Sequence, residues 1–462
     1  MPFLPVALWT DRLIWLLIAA IAAFAWYCTR HPHLAAPWAR VFRSRTAVAS
    51  SVFLAAYVLV GLLDSFHYRP RLPATGSGAA VAYSVEVRSV LDLVLTPLRE
   101  RVEKTYSAPL ATRLYQKEQM DLPGGGSVRD YPRLRFGGAH LENEADRDRD
   151  VALRVLAGLA AAAALWALAV LGLRRALARR WPHVPWPAAA AGLGAILAVA
   201  GPIVALAAGY HVLGTDRVGS DVLYQALKSI RTSLVIGTLT TLVLMPLGIA
   251  AGIAAGYFKG WVDDAIQYVY TTLNSIPGVL LIAASVLMVQ VYVDTHAELF
   301  PTAAQRADFR LLSLCAILGA IGWTGLARLL RGEALKLVEL EYIQAAHAFG
   351  VSHARILVRH ILPNVAHIVI ISLVLDFSGL VLAEAVLSYI GVGVDPSTTS
   401  FGTMINAARL EMAREPMVWW ALAAAFAFMF VLVLAANLFA DAVRDGFDPR
   451  VRVGGALARR AA

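Results

Sequence analysis

A chain of 462 residues that is 58% hydrophobic, with a mean hydropathy of +0.62, is too apolar for a soluble multidomain protein and carries several runs long enough to cross a bilayer. The formal net charge of +9 and pI of about 9.7 would suit a nucleic-acid partner, but the arginines stand beside apolar runs, which reads as a topology signal and excludes that class. Cys28 and Cys315 lie far apart in or beside apolar runs, so neither a disulfide framework nor a metal site is implied.

In chain order, residues 13–28 form the first apolar run. It is short enough for a signal peptide, but Asp11 offsets Arg12 ahead of it while Arg30, Arg40, Arg43 and Arg45 follow it. That asymmetry predicts a membrane span with its N-terminus outside. Residues 47–63 cross back outward, and 64–150 are mostly polar, with a glycine-rich segment and a closing charge run, LENEADRDRD. In this insert Leu91, Val94, Leu95, Leu98 and Val102 share one helical face that Pro97 should divide. No nucleophile and base, and no metal-ligand spacing, stands out there, so a structural insertion is expected, with docking of an external partner as the alternative.

Residues 151–173 cross inward to a turn marked by Arg174, Arg175, Arg179 and Arg180, and 188–208 return outward. Asp216 and Ser220 in 209–230 are helix-start residues for an interfacial helix. The span 232–256 places Gly248, Gly252 and Gly256 every fourth residue, a bare backbone strip for close helix packing, within this subunit or against a second one. Residues 265–293 cross outward with Pro277 inside the span, where it should bend the helix and suit a changeable pathway. Residues 311–329 return inward.

A polar stretch follows, 332–364, with sequence GEALKLVELEYIQAAHAFGVSHARILVRHILPN. The apolar spacing of Val338, Tyr342, Ala346 and Phe349 predicts a short helix ending at Gly350. Ser352 should cap a second helix through its side chain, and Pro363 should stop that helix. Residues 365–387 cross outward carrying two acids, Asp376 and Glu384, about 80° apart around the helix. Intramembrane acids face a cavity or a partner, so Asp376 is a candidate for the translocation path or for a helix-to-helix hydrogen bond. Residues 418–440 make the last inward crossing, and a tail with Asp441, Arg444, Asp445, Asp448 and Arg450 reads as a salt-bridged helix end. The count is nine transmembrane helices, N-terminus outside and C-terminus in the cytoplasm, in an all-α polytopic membrane protein. The divisions expected are two N-terminal helices (1–63), an extracytoplasmic insert (64–150), an extra helix pair (151–208), an external interfacial segment (209–230), a helical core (231–441) holding the 332–364 loop, and a cytoplasmic tail (442–462).

The string Ala345-Ala346, three residues, Gly350 and then HILPN resembles the signature loop of permease subunits of ATP-binding-cassette importers, in the oligopeptide, dipeptide and nickel branch of the binding-protein-dependent transport system inner membrane components. The segment GTD through RTSL, the turn GYFKGWVDD, AEAVLSYIGVG around Glu384 and the ending ADAVRDGFDPR are similar to the same family. The resemblance covers 38–63 weakly and 209–450 strongly. It implies a type I importer fold whose loop forms a coupling helix docked in a groove of the ATPase, carried here by Tyr342, Gln344, Ala345, Ala346, Gly350, His360, Leu362 and Pro363. Gln344 stands where the family most often has an acid, so a hydrogen bond rather than an ion pair with the ATPase is expected there, and the family often has an acid near Thr271, so no charge role is expected at that place. The implied partners are two ABC ATPases, a second homologous permease, an extracytoplasmic substrate-binding protein and membrane lipid, in a bacterial inner membrane. No GxxxxGK[ST] occurs in the sequence, so ATP is expected on the partner and the chain is expected to be neither an enzyme nor a cofactor carrier. Peptides are the substrate the resemblance implies; nickel or another small solute, and export, stay open. A solo ion-coupled transporter or channel using Asp376 and Glu384 is the competing class, and a membrane-anchored scaffold a third.

Overall fold

The computed structural model describes residues 3–72, 83–121, 127–176 and 181–447. In chain order its helices are α1 (Trp9–Arg30), α2 (Pro32–Val41), α3 (Arg45–Asp64), α4 (Val90–Val94), α5 (Thr96–Glu100), α6 (Arg147–Ala176), α7 (Trp186–Ala207), α8 (Val222–Phe258), α9 (Gly260–Ser275), α10 (Gly278–Thr295), α11 (Ala303–Gly322), α12 (Thr324–Val338), α13 (Glu341–Ala348), α14 (His353–Ile356), α15 (Leu362–Tyr389), α16 (Phe401–Glu411) and α17 (Trp420–Phe447). Among the described residues nine helices are long and apolar enough to cross a membrane, and each expected run overlaps one of them. Arg179, Arg180, Asp448 and Arg450, and the side chain of Arg174, lie outside what is described.

The chain divides into two compact units. One comprises residues 1–11, 42–234 and 396–439, the other 12–41, 235–395 and 440–462.

The first unit is not purely helical. Strand β1 (Phe3–Val6) pairs antiparallel with β2 (His67–Pro70), Val6 opposite His67, and β2 pairs with β3 (Arg88–Ser89); β4 (Glu118–Asp121) and β5 (Ser127–Asp130) make a separate hairpin. These strands are two to four residues long, and β1 and β2 contain prolines, so no period-two pattern announces them. Pro97 opens α5, and the chain breaks at Leu95 as its position suggests. The expected single apolar face does not survive this break: Leu91 and Leu98 are buried while Val94 and Val102 are exposed.

The extra pair α6 and α7 packs backbone to backbone. A Cβ on Gly158 would lie 2.6 Å from the Gly201 carbonyl oxygen, and one on Gly201 would lie 2.5 Å from that of Gly158. Such a crossing tolerates only glycine. Trp166 closes the pair by donating its indole N–H to the Ala190 carbonyl at 2.7 Å. α7 then rests on α3, where Gly192 lets the backbone at Ala49 approach.

In the second unit the glycine strip of α8 meets α12. A Cβ at Gly252 would sit 2.6 Å from the Ala327 carbonyl oxygen, and one at Gly256 2.6 Å from the Ala334 Cβ; Gly248 faces Leu326. The strip therefore serves packing inside this chain. Around it Leu326, Leu330, Ile343, Ile356 and Ile361 are buried as one core beneath the 332–364 loop. Pro277 does not bend a continuous span. α9 ends at Ser275, Ile276 is extended, and Pro277 caps α10, because its missing N–H is harmless only in a first helical turn.

Candidate functional site: the 332–364 loop, the intramembrane acids and the anchored insert

α13 is eight residues long and buries a single side chain, Ile343, with Ala346 half-buried beside it. Its other face is open: Tyr342, Gln344 and Ala345 are exposed, and Phe349 is 87% exposed. Gly350 ends the helix at φ +75, with its N–H donating to the His347 carbonyl (3.0 Å) and the Val351 N–H to the Ala346 carbonyl (3.1 Å). That is a Schellman closure, and no heavy atom lies within 4 Å of a Cβ built at Gly350. Gln344 donates to the Glu339 carbonyl at 3.3 Å.

Two expectations about the second helix are corrected. Ser352 occupies the cap position, yet only its carbonyl oxygen is used, by the amides of Arg355 and Ile356; its side chain makes no capping bond. Nor does Pro363 stop the helix. Residues Leu357–Ile361 widen into a π turn, and the chain runs on into α15 with Pro363 in its first turn. The wider turn removes both the clash and the hydrogen bond that a proline would spoil. Leu362 packs against the loop core, and His360 offers its carbonyl to the Asn364 amide at 2.6 Å while that amide also reaches the Tyr342 hydroxyl at 3.1 Å. Loop residues Tyr342, His360 and Asn364 are thus brought together; Gln344, Ala345 and Pro363 stay on the open surface.

Asp376 and Glu384 lie on α15 but in different settings. Glu384 is fully buried and accepts from the Ser388 hydroxyl at 2.7 Å. Asp376 is half-buried and makes no hydrogen bond or ion pair among the described residues.

Sequence reasoning missed what the start of α8 does. Asp216 staples its own loop, accepting from the amides of Val218 and Ser220 and from Gln225, and the helix cap falls to Asp221, which accepts from the amides of Leu223 (2.9 Å) and Tyr224 (3.3 Å). The described residues 209–230 hold no separate interfacial helix; 222–230 is the first part of α8. At 37 residues α8 is about 55 Å long, so roughly 25 Å of it lies beyond a hydrocarbon core of about 30 Å. Along one face of that stretch, at helical spacing, Asp221, Tyr224, Lys228 and Arg231 each hold a piece of the chain outside the core. His211 lies between Asp221 (2.7 Å) and Glu103 (3.4 Å). Lys228 reaches Asp64 (2.5 Å) and Asp92 (3.1 Å), with Tyr224 donating to Asp92 at 2.7 Å. Arg231 holds Asp11 at 2.6 Å, and Asp11 accepts from Nδ1 of His67 at 2.8 Å. The available signal was the i, i+3, i+7, i+10 spacing of polar residues leading into an apolar span.

Burial alone would lower the His211 pKa, but Asp221 and Glu103 outweigh it and hold it up at about 9. Burial would likewise raise Glu103; the His211 bond and three backbone amides, of Phe136, Arg135 and Gly137, bring it to about 2. The His211 contribution to stability is complete below the ordinary 6.5 and is lost as pH rises through about 9, whereas the Glu103 contribution is lost only as pH falls from 4.5 through about 2. Limited proteolysis of the insert is expected to quicken between about pH 6.5 and about pH 9, and in His211→Gln to be faster at the lower pH with that rise gone.

Residues 248–453 match the model of the family described as binding-protein-dependent transport system inner membrane component. The match begins inside α8, so 231–247, expected within the core, lie before it, as do 209–230, the insert and α6–α7. The oligopeptide transport system permease protein OppC of Mycobacterium tuberculosis (strain ATCC 25618 / H37Rv) is 32% identical over 242 residues, 52% of this chain and 77% of that protein. The glutathione transport system permease protein GsiD of Pectobacterium atrosepticum is 31% identical over 52% of this chain and 73% of that protein. A solved structure of the MetNI methionine ABC transporter in an inward facing conformation superposes with TM-score 0.38 and 15% identity over 49% of this chain and 98% of that chain. With identity at this level across three quarters of a relative, and a family match that takes in the 332–364 loop, the chain belongs to the family of binding-protein-dependent transport system inner membrane components, as a multi-pass membrane permease subunit.

Proposed function

We propose that this chain is one of two permease subunits of an ATP-driven type I importer in a bacterial inner membrane, taking up peptides handed over by an extracytoplasmic binding protein. The 332–364 loop and the C-terminus face the cytoplasm, the insert and the N-terminus the outside, as the arginine distribution favours. α13 is the coupling helix: its open face of Tyr342, Ala345 and Phe349, ended by a left-handed glycine, is the observation that carries the reading. Two ATPases close on ATP, draw the coupling helices together and bias the pathway between its two states. The chain supplies the pathway, and ATP is bound by the partner. Relatives named for oligopeptide and glutathione transport support peptide as substrate. Asp376, which has no hydrogen-bond or ion-pair partner among the described residues, attracts a peptide amino group in this reading, as an intramembrane carboxylate can.

The deciding experiment is purification of the tagged chain in mild detergent followed by uptake in liposomes. An ATPase and a second permease should accompany it, and uptake should require ATP. Solute movement by the chain alone, without ATP, would replace this reading with an ion-coupled carrier built on Asp376 and Glu384. Within the importer, Asp376→Asn should lower peptide uptake about tenfold with assembly unchanged, the worth of one charge-assisted hydrogen bond. Uptake equal to wild type would take Asp376 out of the path.

A further inference from the structure

An eight-residue helix with one buried side chain cannot hold its own direction in space. Something else must fix α13, and the contacts that do so converge on one elbow, residues 257–263, between α8 and α9. Before α13, the Lys259 ammonium lies 2.6 Å from Glu339, the residue that caps α12. After α13, the Tyr257 hydroxyl shares a 2.7 Å hydrogen bond with Nδ1 of His353, which opens α14. His353 in turn packs its ring 5.2 Å from that of His347 in the last turn of α13. Beneath these, Asp263 at the start of α9 takes the Arg331 guanidinium of α12 in a bidentate pair, 2.6 Å at both contacts. The Arg331 bond holds the Asp263 carboxyl below the usual carboxylate range.

The backbone of the elbow is itself unusual. Lys259 adopts φ +54, a left-handed conformation that a side chain disfavours, and Gly260 follows at φ +51. Glycine would be easier at 259, but it would lack the ammonium that reaches Glu339. Gly256, one turn earlier, presses directly on Ala334 and the Arg331 carbonyl, so α8 and α12 move as a packed pair up to this point.

We propose that Tyr257 and Lys259, seated on the Asp263–Arg331 pair, are positioning residues that fix the direction of the coupling helix by gripping the chain on both sides of it. This rests on the reading of α13 as the coupling helix for its consequence in transport, though not for the geometry. As positioning residues Tyr257 and Lys259 act through α13.

The test begins with amide hydrogen exchange on the purified full chain, comparing wild type with Tyr257→Phe/Lys259→Met and with the conservative Lys259→Arg. Exchange over 341–350 should rise about tenfold in the double variant, as loss of two anchoring contacts implies, while 324–338 and 365–389 stay protected and Lys259→Arg stays close to wild type. Unchanged exchange over 341–350 would overturn the proposal, and so would a rise spread evenly through the flanking helices. In the assembled complex the double variant should keep its ATPase through purification yet lose about fivefold or more of the stimulation of ATP hydrolysis by peptide-loaded binding protein. Full stimulation would overturn the link to coupling. If no ATPase accompanies even the wild type, the proposed function fails, and the exchange experiment still decides the elbow.

Discussion

Gly350→Glu is expected to leave the helical fold standing and to remove the ATPase from the purified complex, with ATP-dependent uptake falling about a hundredfold or more, the range of a docking hot spot. The fold is spared because nothing lies within 4 Å of a Cβ at this position. Strain from a side chain at φ +75 costs about 1–2 kcal/mol and falls on an exposed helix end, away from the packed helices. Docking is not spared, because the glycine ends α13, whose outer face is open, and a charged side chain there stands on the surface beside Phe349 and Ala345. Co-purification, far-UV circular dichroism and uptake together check it. An ATPase retained at wild-type ratio would mean that α13 is not the docking element.

Gly252→Leu should instead destroy the fold. Its Cβ alone would meet the Ala327 carbonyl at 2.6 Å and the Leu330 Cβ at 2.8 Å, and backbone cannot rotate away as a side chain can. Overpacking of this kind costs about 3 kcal/mol or more, enough to lower the midpoint of thermal unfolding in detergent or to prevent accumulation. Gly332→Ala is the control: it lies in α12 with nothing within 4 Å and should be neutral or stabilise by up to about 1 kcal/mol through helix propensity. Equal thermal midpoints for Gly252→Leu and wild type would show that α8 and α12 are not closely packed in the membrane.

How much of this was legible follows from what a sequence records. Nine apolar runs were readable because the bilayer sets a length and a composition, both of which are one-dimensional. The loop was readable at Gly350, whose backbone conformation only glycine adopts cheaply, and unreadable at Pro363, because a π turn is a property of the turn before the proline and not of the proline. Pro277 announced a disturbance without saying whether the helix would bend or break. The strands were too short to show a period. The elbow and the α8 anchors are pairs such as Lys259 with Glu339, and Arg231 with Asp11 at a separation of 220 residues; each charge was visible, and its partner was not. Asp221 was passed over for Asp216 and Ser220 because all three suit a helix start, and only the position of the free amides distinguishes them.

The distances in sequence across the first unit bear on how the protein is made. Tyr57 donates to the Phe428 carbonyl across 371 residues, Tyr106 to Glu411 across 305, and the Trp420 indole to the Thr215 carbonyl across 205. At about 5–20 residues per second, a ribosome needs roughly 15–60 s to supply Glu411 after Tyr106 has emerged. Once Asp150 has been supplied the insert is present in full sequence, but buried Tyr106 still lacks the Glu411 carboxylate it donates to. Its maturation is therefore a late event in biosynthesis, tied to delivery of the segment that carries α16 and the start of α17, and a nascent chain interrupted before Trp420 would present quality control with an open insert rather than a finished one.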